Sequence, residues 1–140
     1  MTRDDIVTLL ERHVAALLHS DASQIPSLYT TDATVLSPMF GAVVGHGEIA
    51  ESFVEGGQIY ADRRNTLEVR LIDGDRAIEV HTIRAIHAGE IFGVPPSHKQ
   101  ITFTIVFILD LRDGKIAQER RLYDFTSVLV QLGVLRAKPA

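Results

Sequence analysis

The sequence predicts an α+β fold in a single domain, with helices in the first half of the chain and an antiparallel sheet in the second. Three observations predict it. Apolar residues recur at helical spacing from Ile6 to Leu18, and beyond about residue 66 the period becomes that of strands. Asp73-Gly74-Asp75 and Asp113-Gly114 are turn signals, and each lies between two apolar runs that would pair across it as a hairpin.

The 140 residues match one domain over 1–140, with a core of about 3–135 and a polar, flexible tail from 136, and 46% hydrophobic content is enough for a real core. There is no cysteine, which excludes disulfide stapling and thiolate chemistry and fits the expected cytoplasmic location. Fourteen basic and eighteen acidic side chains are interspersed from end to end, so no basic face is available for nucleic acid. No secretory leader opens the sequence, and the apolar run from Phe103 to Leu109 is too short to cross a bilayer, so no membrane association is expected.

In chain order, Thr2 and Asp5 have the spacing of a helix cap, and Ile6, Leu9, Leu10, Val14, Leu17 and Leu18 form one stripe of a helix over about 3–19, with His13 beside it. Residues 21–29 read as a linker with a short helical segment entered at Pro26. Thr31–Thr34 reads as a turn, followed by a short strand over 34–37 that Pro38 stops. Gly45-His-Gly-Glu48 opens a helix over about 47–56 that Gly56-Gly57 ends. Strands are predicted over 66–73, 76–88, 100–111 and 115–126, followed by a brief closing segment at Val128–Gly133. The strand over 100–111 is apolar on both faces, as expected when one face meets the helices and the other a pocket or a second subunit.

Among polar residues, the strand over 77–86 places Glu79 and His81 on one face, with His87 on the same face if alternation continues. His81 and His87 are too far apart on a straight strand to share a metal, and no compact ligand motif is present, so no metal site is expected. No serine sits in a nucleophile elbow. What remains is proton transfer by a carboxylate or histidine in an apolar pocket, where burial raises a carboxylate pKa towards neutrality. On the last strand, period two puts Gln118, Arg120, Leu122 and Asp124 on one face and Ala117, Glu119, Arg121 and Tyr123 on the other, unless a bulge intervenes. Asp124 is the candidate base; the competing reading is a structural aspartate paired with arginine at a sheet edge.

Gly93-Val-Pro-Pro-Ser97, then a strand, Asp113-Gly-Lys-Ile116, Asp124 and Leu129-Val-Gln-Leu-Gly133 together resemble the SnoaL-like polyketide cyclases and the wider ester cyclase group, within the nuclear-transport-factor-2-like superfamily. The resemblance implies a cone-shaped barrel in which a curved antiparallel sheet wraps over N-terminal helices around a central pocket. It also implies a homodimer or larger assembly packed through sheet faces. Without a cofactor, an aspartate on the last strand would serve as acid and base for an intramolecular aldol ring closure, and Asp124 matches that aspartate. His87 matches a family histidine. Arg120 and His81 stand where the family often has aromatics, which implies a wetter pocket floor and a smaller or more oxygenated substrate.

The expected function is a cofactor-independent cyclase or isomerase acting on a small carbonyl compound, with Asp124 as base and His81 or Arg120 as oxyanion donor. Tyr29, Glu79, His87, Phe103 and Leu122 are expected to contact substrate. The alternatives are an epoxide-opening hydrolase using Arg120, Asp124 and Glu79, or a non-catalytic small-molecule-binding or assembly domain.

Overall fold

The computed structural model describes residues 1–136. Helix α1 spans Arg3–Leu18 and begins as its sequence predicts: the Thr2 hydroxyl accepts from the Asp5 amide while the Asp5 carboxylate accepts from the Thr2 amide. Its stripe of Ile6, Leu9, Leu10, Val14 and Leu17 is buried, and His13 is buried with it. A single turn, α2 (Ile25–Leu28), begins at Pro26 and leads into β1 (Tyr29–Ser37). The remaining elements are β2 (Gly41–Val44), α3 (Gly45–Ile59), β3 (Tyr60–Asp73), β4 (Arg76–His87), β5 (Gln100–Arg112), β6 (Lys115–Tyr123) and α4 (Phe125–Gln131).

The strands form one six-stranded sheet in the order β2-β1-β6-β5-β4-β3, wrapped over the N-terminal helices. From β3 to β6 it is the expected antiparallel meander. Asp113 and Gly114, with φ of 53° and 75°, turn β5 into β6. The expectation of a wholly antiparallel sheet is corrected: β1 runs parallel to β6. Hairpin signals are local, and they carry no information about pairing between the two ends of a chain.

Several boundaries also move. Residues 31–34 lie within β1, β2 was not anticipated, and α3 continues through Gly56-Gly57 to Ile59. The last strand stops at Tyr123, so Asp124 lies beyond it. Of the expected tail at 136–140, residues 137–140 lie outside the described residues.

One face of the sheet meets the helices. Ala77, Glu79, His81, Ile83, Ala85 and His87 of β4 are all buried there, as strict alternation predicts. From β5, Ile101, Ile105, Phe107, Leu109 and Leu111 join them. Four places shift the register among the described residues, and two matter for the site: β3 shifts between Ala61 and Arg64, and β6 shifts at Ala117, which faces no partner residue on β5. The outer face carries two aligned rows, Val69-Val80-Val106-Leu122 and Leu71-Ile78-Ile108, with Val69, Leu71 and Leu122 exposed. No helix among the described residues is long and apolar enough to cross a membrane.

Phe107 is fully buried and meets the imidazoles of His13 and His81 edge-on, at centroid distances of 5.1 and 5.7 Å. Phe107→Ala is expected to lower unfolding free energy by about 3–5 kcal/mol in urea titrations, through lost transfer energy and the cavity left behind. A change below about 1 kcal/mol would show that this position is not the packing centre of the inner face.

Candidate functional site

A cavity of about 220 Å³ lies between the inner face of the sheet and helices α1 and α3. Its wall is mostly apolar: Val14, Leu17 and Leu18 come from α1, and Ile83, Phe103, Ile105 and Phe107 from the sheet. The polar wall residues are Ser37, Ser52, Glu55, Tyr60, Arg63, Arg121 and Tyr123. Helix α3 turns Ser52, Glu55, Gly56 and Ile59 inward at i, i+3, i+4 and i+7 spacing. Phe40, also on the wall, stacks on Phe92 at 5.2 Å, and Phe92 meets Phe125 at 5.7 Å.

Behind the wall sits a buried carboxylate. Glu119 has no solvent exposure and is held by three elements: His13 Nε2 of α1 at 2.6 Å, the Tyr29 hydroxyl at the start of β1 donating at 2.5 Å, and Arg121 Nε of β6. Burial alone would raise the Glu119 carboxyl. The adjoining Arg121 charge, and then His13 and Tyr29, outweigh burial and hold it well below the usual carboxylate range. The same pairing raises Arg121 despite its burial, while burial and the Glu119 charge raise Tyr29. Arg121 therefore stays a cation. Its Nε is committed to Glu119, and among the described residues its buried Nη2 has no hydrogen-bond partner. Arg121 thus brings a guanidinium charge to the wall of an apolar cavity.

Two phenols accompany it. Tyr123 shares a hydrogen bond of 3.0 Å with Ser37, and burial raises its hydroxyl pKa. Burial, followed by the neighbouring Tyr123, pushes Tyr60 up to about 12. Both remain protonated donors at neutral pH.

A family model for SnoaL-like polyketide cyclases matches residues 7–132, nearly the whole chain. The chain belongs to the SnoaL-like polyketide cyclase family. Among solved structures it resembles TsrD from Streptomyces laurentii at 22% identity and a TM-score of 0.85, covering 96% of this chain and 99% of that one. AclR, a candidate hydroxylase from Streptomyces galilaeus, aligns at 24% identity and TM-score 0.84 over 99% of this chain and 91% of its own. IdmH, a candidate polyketide cyclase from Streptomyces antibioticus, aligns at 23% identity and TM-score 0.74 over 94% and 97%. These likenesses fix the fold. No curated protein sequence matches the chain.

Within this family fold, the predicted site residues do not gather in one place. Of the eight, only Phe103 lies on the cavity wall. Asp124 is corrected from cavity base to helix cap: it is exposed, and its carboxylate accepts from the Ser127 amide at 3.1 Å to start α4. Arg120 and Leu122 are exposed on the outer side. The unpaired Ala117 shifts the phase of β6, so Glu119, Arg121 and Tyr123 face inward, the set opposite to the one expected.

Tyr29 is on the expected helical side, but its hydroxyl is spent on Glu119. Glu79 and His81 share the buried face yet form a closed network of their own. The Glu79 carboxylate, which burial would raise, is lowered by hydrogen bonds from His81 at 3.2 Å and Arg70 at 2.7 Å. With His81 Nε2 donating to Glu79, its Nδ1 accepts from the Asn65 amide at 3.1 Å, and neither ring nitrogen is left for a substrate. His87 Nδ1 accepts from the Ser97 amide at 3.2 Å, bracing the 88–99 loop, while its buried Nε2 has no hydrogen-bond partner among the described residues. The grouping of Arg120, Asp124 and Glu79 needed for epoxide opening is not formed. Among the described residues, no three potential metal ligands converge.

Reasoning from sequence missed Arg121, Tyr123, Tyr60, Arg63 and Glu119. The available signal was Glu119-Arg-Arg121, two charges of opposite sign on one face of a strand flanked by apolar runs, which need burial as a pair or exposure as a pair.

Because the folded pKa of Glu119 lies below its unfolded value of about 4.3, its contribution is fully present above that value and is lost as pH falls through the folded pKa. Glu119→Gln is expected to cost about 3–5 kcal/mol at pH 7, since Arg121 loses its counter-charge inside the core. Urea titrations should show the gap between wild type and variant narrowing on acidification below about pH 4. A pH-independent gap would reject this account.

Proposed function

We propose that the protein is a cofactor-independent cyclase or isomerase for a small, hydrophobic, oxygenated carbonyl compound, with Arg121 as the electrophile. The observation that carries this reading is the Arg121 guanidinium on the cavity wall, held as a cation by Glu119. Removing a proton beside a carbonyl places negative charge on its oxygen, and a fixed guanidinium donor in an apolar site stabilises that charge more than it stabilises the neutral ketone. Tyr60 and Tyr123 supply neutral donors beside it. Glu55, an exposed carboxylate that also lines the cavity, is the residue we assign to receive the proton; Asp124, equally exposed, does not line it. In an aldol-type closure the enolate carbon attacks a second carbonyl of the same molecule, and the proton returns to the new alkoxide. The cavity is below the usual range of about 300–1,000 Å³ for ligand sites, which favours a one- or two-ring product.

The exposed position of Asp124 favours a second reading, a non-catalytic binding domain. Deuterium exchange from D2O into the α-position of a panel of aryl ketones, followed by NMR, separates the two. Wild type is expected to accelerate exchange, Arg121→Met to lose about 100-fold or more, and Asp124→Asn to retain it. Binding without exchange would establish the second reading. Loss of exchange in a folded Asp124→Asn protein would return that residue to the site.

We also propose a homodimer formed through the outer rows Val69-Val80-Val106-Leu122 and Leu71-Ile78-Ile108, an apolar surface on an otherwise well-paired sheet. Sedimentation at micromolar concentration is expected to give twice 15.5 kDa, and Val80→Lys to give the monomer mass. A wild-type protein sedimenting only as the 15.5 kDa monomer would reject the dimer.

A further inference from the structure

The second guanidinium of the cavity has no part in the chemistry above. Arg63 lies on the wall beside Tyr60, and among the described residues it forms no ion pair, although Arg121 has Glu119. Its one hydrogen bond is a neutral one, from Nη2 to the Ser20 hydroxyl at 2.6 Å. Burial, and then the charge of Arg121, hold its pKa below the ordinary arginine value, as expected of a guanidinium with no carboxylate within ion-pair distance.

The backbone is shaped to put that charge there. Arg63 sits in the register shift of β3 between Ala61 and Arg64, and the residue before it, Asp62, adopts φ 53°, a left-handed conformation that is strained for a side-chain-bearing residue. Ser20, which receives the guanidinium, is left-handed as well, with φ 52°. Helix α3 gives way at the same point: a Cβ on Gly57 would lie 2.3 Å from the Ser20 hydroxyl oxygen, and one on Gly56 would lie 3.5 Å from Arg63 Nη1. Gly57, a bulge and two left-handed residues together surround the placement of one cation.

We infer that the substrate is an anion, a small hydrophobic keto acid whose carboxylate is received by Arg63 while its ketone faces Arg121. This rests on the carbonyl-binding reading of the same cavity and adds the charge of the molecule and its orientation to it. A half-buried guanidinium without a counter-ion favours an anionic partner, and a carboxylate matches its fork of donors in two parallel bonds. A neutral ester would leave that charge unpaired.

Calorimetry on the full-length protein with three aryl keto acids of increasing length, from 4-oxo-4-phenylbutanoate upwards, and their methyl esters tests the inference. At least one acid is expected to bind 10-fold or more tightly than its ester. Arg63→Gln should erase that preference while leaving ester affinity unchanged, and Arg63→Lys should keep part of it. Arg121→Met should weaken acid and ester alike. Esters binding as tightly as acids overturn the anion inference and leave the carbonyl-binding reading in place. If no acid and no ester binds the wild-type protein, both fall together. The ratio of acid to ester in wild type decides the matter even if an Arg63 variant fails to fold.

Discussion

A carboxylate placed in the protein core must find donors there, and Glu119 draws three parts of the chain to itself. His13 is one face of α1, Tyr29 opens β1, and Arg121 is two residues along the same strand. The first two of these contacts join regions far apart in sequence. The helix cannot roll on the sheet without stripping His13 from the carboxylate, and β1 cannot slip along β6 without moving the Tyr29 hydroxyl. A buried ion pair of this kind adds little net stability over an apolar replacement, but it is demanding of geometry, and geometry is what it supplies here. Glu119 takes up the Nε side of Arg121 and fixes its guanidinium at the cavity wall.

The legibility of this site in the sequence varied strand by strand. On β4 the alternation from Ala77 to His87 runs without interruption, and the buried set is the one that period two dictates. On β6 the same rule fails because Ala117 faces no residue of β5, and everything after it changes sides. Nothing in Lys115-Ile-Ala-Gln-Glu announces that extra residue. Before the shift Ile116 points inward; after it Glu119, Arg121 and Tyr123 do. The helices and the meander were readable because capping, stripe and turn signals are local. The parallel pairing of β1 with β6 was not, since it depends on contacts made only after the chain has folded back on itself.

The position of Asp124 has a physical rationale of its own. Strand β6 ends at Tyr123, and the sequence Asp124-Phe-Thr-Ser127 carries an acceptor three residues before an amide that needs one. The aspartate that the resemblance singled out is therefore occupied in starting α4. Within the cavity, the charged groups are instead two arginines and a glutamate from α3. A shared fold with the same hairpin and loop motifs accommodates this change, because the fold fixes where strands end and the side chains set the chemistry.

Strand β5 shows how the two faces of the sheet constrain each other. Its inner residues Phe103, Ile105 and Phe107 line the cavity, so they cannot all be packed tightly by helices and still leave room for a ligand. Its outer residues Val106 and Ile108 alternate with them and belong to the apolar rows. A strand with an open cavity on one side gains less from burial there, and covering its other side would offset that loss and stiffen the floor on which Phe107 and, through β6, Arg121 are mounted. Rigidity matters for Arg121 in particular. A guanidinium that must meet a developing oxyanion without reorganising depends on a backbone that does not yield, and Glu119 can hold the side chain only as firmly as the sheet holds Glu119.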